Sequence, residues 1–221
     1  MKAKYIIFDL DDTLIYEIDY LRSAYKNIAE ILDKTNSEIL FQRMLMLYNT
    51  QENVFDRLIE DYPEYSISNL LDMYRNHFPN IRLNDGGKEI LTYCKVNNYK
   101  LGLITDGRSI TQRNKLKALG IENFFDKIII SEEFGSSKPN ERNFKDFCTT
   151  KDIDEYFYIA DNPKKDFITP NKLDWCTICL LDKGENIHPQ DFSLSQEYLP
   201  KFRVKELIEL KELINNINSR V

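Results

Sequence analysis

The run Tyr5, Ile6, Ile7, Phe8 is apolar at every position and stops on a carboxylate, Asp9. A strand with apolar side chains on both faces belongs inside a parallel sheet covered on both sides. One strand cannot bury both faces alone, and no similar run follows until Leu101. Its sheet partners therefore come from far along the chain, and what stands between is an insertion.

The inserted residues have the period of helices. Ile18, Leu21, Ala24, Tyr25, Ile28, Ile31 and Leu32 are spaced by three and four and share one helical face. The spacing returns at Ile39, Leu40, Met44 and Leu47, at Val54, Phe55, Leu58 and Ile59, and at Leu70, Leu71, Tyr74 and Phe78, before the stop signal Pro79. About four helices are predicted over residues 16–78. Beyond Gly86 the pattern predicts a helix over 87–96, a strand over 101–104, a helix over 109–119 closed by Gly120 and a strand over 127–130. A helix over 140–149, a strand over 156–159, a short helix after Asp166 and a strand over 177–181 follow. A loop over 184–200, a strand over 202–204 and a helix carrying Leu207, Leu210, Leu213, Ile214 and Ile217 complete the chain. Such alternation builds β-α-β units. The fold class is α/β: a Rossmann-like parallel sheet core with helices on both faces (1–15 and 82–221) and an inserted all-helical cap domain (16–81).

Composition narrows the partners. With 42% hydrophobic residues and only 7 Gly and 7 Pro among 221, the chain has material for a core and is neither disordered nor collagen-like. Its net charge is −6, with no block of either sign, so nothing offers the basic stripe that nucleic acid or an anionic membrane requires. No apolar run reaches the roughly 20 residues that span a bilayer, and residues 1–4 lack a signal-peptide pattern. A cytoplasmic protein is expected, with a monomer favoured. Four cysteines are too few for a disulfide framework. Cys176 and Cys179 form a C-x-x-C, but on a strand an odd separation sends them to opposite faces, as core thiols.

The chemistry gathers at the strand ends. Ligands of open α/β sheets bind beyond the carboxyl ends of the strands, and those ends carry Asp9-Leu10-Asp11-Asp12-Thr13, Thr105-Asp106-Gly107, the slightly later Lys138-Pro139, and Asp161-Asn162. Several carboxylates with one lysine and no histidine would repel one another unless a cation sits among them. A hard divalent ion with oxygen ligands, Mg²⁺, fits that need.

In this order and placement the motifs resemble those of the haloacid dehalogenase-like hydrolases: Asp9-x-Asp11-x-Thr13 the first, Thr105 the second, Lys138-Pro139 the third and Asp161 with Asp166 the fourth. The resemblance spans the sheet domain. It implies Asp9 as nucleophile forming an aspartyl phosphate, and Asp11 as the acid and base for leaving group and water. It further implies Thr105, the backbone N–H of Asp106, and Gly107 at the phosphoryl oxygens, with Lys138 neutralising charge. Mg²⁺ would be ligated by Asp9, the Asp11 carbonyl and Asp161, supported by Asp166 and Thr13. Asp12 stands where the motif often has Gly, an extra carboxylate that would disfavour very acidic substrates, and Ala160 also stands where Gly is common.

Plainer roles exist for the same residues. Asp9 and Asp11 suit a turn, Lys138 a solvated loop, and Asp166 a helix N-cap. His77 and His188 read as surface or turn residues. The aromatic set Tyr16, Tyr20, Tyr25, Tyr48 and Phe55 suits a core better than a pocket. Of Arg22, Arg57 and Arg108, the candidates for reaching a substrate's distal groups, Arg108 is the best, since it follows the second motif directly. The reading is a Mg²⁺-dependent phosphomonoester hydrolase acting on a small phosphorylated metabolite. Asp11 argues against the dehalogenase branch, whose halide leaving group needs no proton. Alternatives are a phosphosugar mutase, a receiver-type signalling module, and a binding protein on an inactive scaffold. The insertion is expected to move over the sheet on hinges at 14–17 and 79–85, and to choose the substrate.

Overall fold

The computed structural model describes residues 3–150 and 152–216. Six strands form one sheet: β1 (Lys4–Phe8), β2 (Lys100–Thr105), β3 (Lys127–Ile130), β4 (Glu155–Ala160), β5 (Cys176–Leu180) and β6 (Phe202–Val204). Their order is β3-β2-β1-β4-β5-β6 and every pairing is parallel, which makes β1 the centre of a doubly wound sheet. All five residues of β1 are buried. Ile6 and Phe8 enter one core with Leu101, Leu103 and Ile159, whereas Tyr5 and Ile7 enter another with Phe144, Phe147 and Tyr158. Cys176 and Cys179 likewise go to opposite cores, and all four cysteines are free.

Between β1 and β2 stand α1 (Glu17–Leu32), α2 (Ser37–Asn49), α3 (Val54–Asp61), α4 (Ile67–Asn76) and then α5 (Gly87–Val96). The first four make the predicted insertion around a third core that includes Tyr25, Ile28, Met44, Leu58 and Leu70, with Tyr48 and Phe55 against it. Local chemistry sets their limits. Asn53 Oδ1 accepts from the backbone N–H groups of Phe55 and Asp56 to start α3, and Ser66 with Asn69 forms a capping box on α4. The remaining helices are α6 (Ser109–Leu119), α7 (Ser131–Phe134), α8 (Glu141–Lys145), α9 (Ile168–Lys172) and α10 (Leu210–Asn216).

Several details depart from the periodicity. The helix predicted over 140–149 breaks at Asp146 into α8 and a 3-10 turn over Phe147–Thr149. The α7 turn had no apolar signature. His77 is buried rather than at the surface, its ring tilted against that of Tyr20 with Nδ1 against the Tyr74 carbonyl; His188 is exposed. Ile217, assigned to the last helix, lies outside the described residues. No described helix is long and apolar enough to cross a membrane.

Candidate active site

Register assembles the site. Asp9, Asp106 and Asp161 are the first residues after β1, β2 and β4, three adjacent strands, so their side chains start from one edge of the sheet. Asp9, Asp161 and Asp166 are all buried, and each offers a carboxylate oxygen within 4.8 Å of the others. Lys138 Nζ lies 2.8 Å from Asp9 Oδ2 and 2.8 Å from Asp166 Oδ1. It is delivered by the loop after α7, where the Lys138 backbone N–H donates to Asp106 Oδ1 at 3.1 Å. Asp9 Oδ1 accepts from the Leu10 N–H at 2.8 Å.

Tyr158, buried on β4, donates from its hydroxyl to Asp166 Oδ1 at 3.2 Å and lies 3.3 Å from Lys138 Nζ. Asp166 Oδ2 accepts from the Asn162 N–H at 3.1 Å. Both Asp166 oxygens are thus engaged, and its side chain does not act as an N-cap, the cap position of α9 being Phe167. Asp161 Oδ2 accepts from Asn186 Nδ2 at 3.0 Å, and its carbonyl accepts from Gln190 Nε2 at 2.8 Å.

The electrostatics follow from burial. Burial, opposed by Lys138 and reinforced by Asp166, pushes the Asp9 carboxyl up to about 6. Burial again, then Asp166, Asp9 and Asp12, holds Asp161 well above the usual carboxylate range. For Lys138, burial favours the neutral amine, but Asp166 and Asp9 outweigh it and hold the ammonium well above its ordinary value. Three clustered carboxylates against one ammonium in contact leave negative charge uncompensated. An oxygen-only donor set with that excess fits a hard cation such as Mg²⁺.

Asp11 stands apart from this network. Its Oδ1 is 2.7 Å from Lys115 Nζ and its Oδ2 accepts from Gln112 Nε2 at 2.9 Å. Gln112 Nε2 also contacts Thr105 Oγ1 and, at 3.3 Å, the Asp106 carbonyl. Thr105 is buried at the end of β2. Gly107 has φ 143, and its N–H donates to Ser131 Oγ at 2.9 Å. Thr13 Oγ1 is buried without a hydrogen-bond partner among the described residues, while the Thr13 carbonyl accepts from Asn84 Nδ2 at 3.0 Å. Arg108 is drawn into an ion pair with Glu132 at 2.6 Å, Arg22 pairs with Asp19, and Arg57 with Glu52 and Glu60.

Sequence reasoning passed over Tyr158, Gln112, Lys115, Asn186 and Gln190. Gln112 and Lys115 stand at helical spacing just after the second motif, the one signal the sequence holds for them; their burial shows only in the structure. Asn186 and Gln190 left none, since nothing local says where a loop returns.

Fold and site define an α/β protein with a lysine-bridged acidic centre at the carboxyl edge of its sheet. A model of the haloacid dehalogenase-like hydrolase family matches residues 6–178, and the chain belongs to that family. A glyceraldehyde 3-phosphate phosphatase of Methanocaldococcus jannaschii is 28% identical over 229 residues, covering 97% of this chain and 98% of the relative. A pyrimidine 5'-nucleotidase of Escherichia coli is 29% identical over 121 residues, covering 53% and 50%. Among solved structures, a family hydrolase from Bacillus subtilis bound to magnesium superposes with a TM-score of 0.65 at 21% identity, covering 97% of this chain and 100% of that one.

Proposed function

We propose that the protein is a Mg²⁺-dependent phosphomonoester hydrolase acting through an aspartyl phosphate on a small phosphorylated metabolite. The observation that carries this is the division of labour between the two first-motif carboxylates. Asp9 is held by Lys138 in the acidic centre, and Asp11 is held separately by α6. Asp9 Oδ attacks phosphorus, and the P–O bond to the leaving group breaks as Asp11 gives that oxygen a proton. Asp11 then takes a proton from a water that attacks the aspartyl phosphate, releasing inorganic phosphate and restoring Asp9. Thr105, the Asp106 N–H and Lys138 stabilise the charge on the transferring group. Asp9, Asp161 and the Asp11 carbonyl would hold Mg²⁺, with Asp166 supporting them through Lys138, which it contacts at 2.8 Å. When bound, the ion offsets the repulsion between these carboxylates and the phosphate dianion.

Relatives named as glyceraldehyde 3-phosphate phosphatases span nearly the whole chain and favour a triose-phosphate-like substrate. The test is phosphate release from a panel of phosphorylated metabolites. Asp9→Asn is expected to lose at least about a thousandfold in turnover while remaining folded, and chelation should stop the wild-type reaction until Mg²⁺ is restored. Near-wild-type turnover by Asp9→Asn would exclude the covalent route.

A further inference from the structure

We propose that Lys115 is a positioning residue for Asp11, and that Tyr20 makes this positioning depend on the seating of the helical block. The inference deepens the hydrolase reading and rests on it.

Lys115 is 3% exposed on α6. A lysine is seldom so buried unless its charge is matched, and the carboxylate matched to it is that of Asp11, at 2.7 Å. Gln112, one helical turn earlier on the same face, holds the second Asp11 oxygen. The carboxylate is thus gripped at both ends, its direction set by α6 rather than by its own turn. A proton donor must be aimed at the leaving oxygen, and about 1 Å of misplacement costs on the order of a hundredfold in rate.

The ammonium also faces the inserted helices. It lies 4.4 Å from the centroid of the Tyr20 ring, within the range of a cation–π contact. Tyr20 is buried on α1 and donates from its hydroxyl to the Tyr74 carbonyl of α4 at 2.8 Å. The same helix α6 grips the end of α4 beside it: Thr111 Oγ1 donates to the Arg75 carbonyl, and Asn114 Nδ2 to the carbonyls of Asn76 and His77. Lifting the block would carry the Tyr20 ring away and let water reach the Lys115–Asp11 pair. In that higher dielectric the attraction weakens, and Asp11 loses its fixed direction. The carboxylate, which becomes the acid once it has taken a proton from the attacking water, therefore keeps one direction when the block is seated.

The experiment compares turnover of an alkyl ester, glycerol phosphate, with that of p-nitrophenyl phosphate, whose leaving group needs little protonation. Lys115→Met is expected to lower the alkyl-to-aryl ratio of kcat by about tenfold to a hundredfold. Lys115→Arg should recover most of that ratio, and Tyr20→Leu should lower it about threefold or more. If Lys115→Met fails to fold, Lys115→Gln and Tyr20→Leu carry the same comparison. Equal loss on both esters, accompanied by a lower Tm, would make Lys115 merely structural and overturn the proposal, as would an unchanged ratio. Asp9→Asn separates the two levels. If it is inactive while the Lys115 variants keep the wild-type ratio, the positioning role alone is wrong. If it hydrolyses both esters normally, or the wild type hydrolyses neither, the hydrolase reading fails first.

Discussion

Asp12 shows how one side chain can settle several segments. Its φ is 54, in the left-handed region that glycine visits freely and aspartate tolerates because it bonds locally. Oδ1 accepts from the Glu17 N–H at 2.8 Å, and Oδ2 from the Ile187 N–H at 3.1 Å. The residue read as a departure from the motif therefore fastens the start of α1 and a distant loop to the end of β1. Spacing showed that a carboxylate was there; it could not show which backbone groups would claim it. Burial pushes the Asp12 carboxyl up to about 6 in spite of these bonds, and the same bias at Asp9 and Asp161 makes a prediction. The Asp9 carboxyl, pushed up to about 6 by burial, exceeds its unfolded value. Without metal its contribution to stability is fully present below about pH 4 and is lost as the pH rises through about 6; Asp161 is raised in the same direction. A bound cation reverses the preference by requiring the ionised carboxylates. Mg²⁺ should therefore raise Tm more at pH 7.5 than at pH 5. Equal increments would place the ion away from these carboxylates.

Strands and helices were legible where packing follows local periodicity and less so where distant groups intervene. The run Leu101 to Ile104 marked β2, but nothing in it tells why Gly102 interrupts the large apolar residues. A Cβ there would come within 2.4 Å of the Phe147 ring and 3.0 Å of Ile7, so glycine is what lets Phe147 lie against the sheet. Gly102→Ala should destabilise the protein by about 1–3 kcal/mol through overpacking, checked by denaturant unfolding. A neutral change would mean that Phe147 has room to shift. The partner segment tells the same story. Asp146, where the predicted helix breaks, receives Lys127 Nζ on both its carbonyl and its carboxylate, each at 2.8 Å. Lys127 opens β3, too far along the chain for helical spacing to register.

At the scale of the molecule, the two passages between sheet and helical block are tied together. The Asn84 N–H donates to the Leu14 carbonyl at 2.8 Å, and its side chain donates to the Thr13 carbonyl. An insertion returning to where it left was readable from a lone first strand, because that strand had to rejoin the others. The contacts that seat the block were not readable, since they run from polar residues of α6 to backbone carbonyls. Asp9, Thr105 and Lys138 are each 5% exposed or less, and a block that acts as a moving cap would have to open before a phosphate ester reached them. The bonds from Asn114 to the end of α4 then lie across the path of motion. A disulfide formed between Asn76→Cys and Asn114→Cys should hold the block down. Once mass analysis confirms the bridge, turnover of the oxidised protein is expected to fall at least about tenfold and to recover with reductant, as lid opening becomes limiting. The single-cysteine variants, oxidised in the same way, control for the native thiols. Full turnover by the bridged protein would mean that substrate reaches Asp9 without displacement of α4 from α6, and the helical block would then be a fixed wall of the site rather than a moving cap.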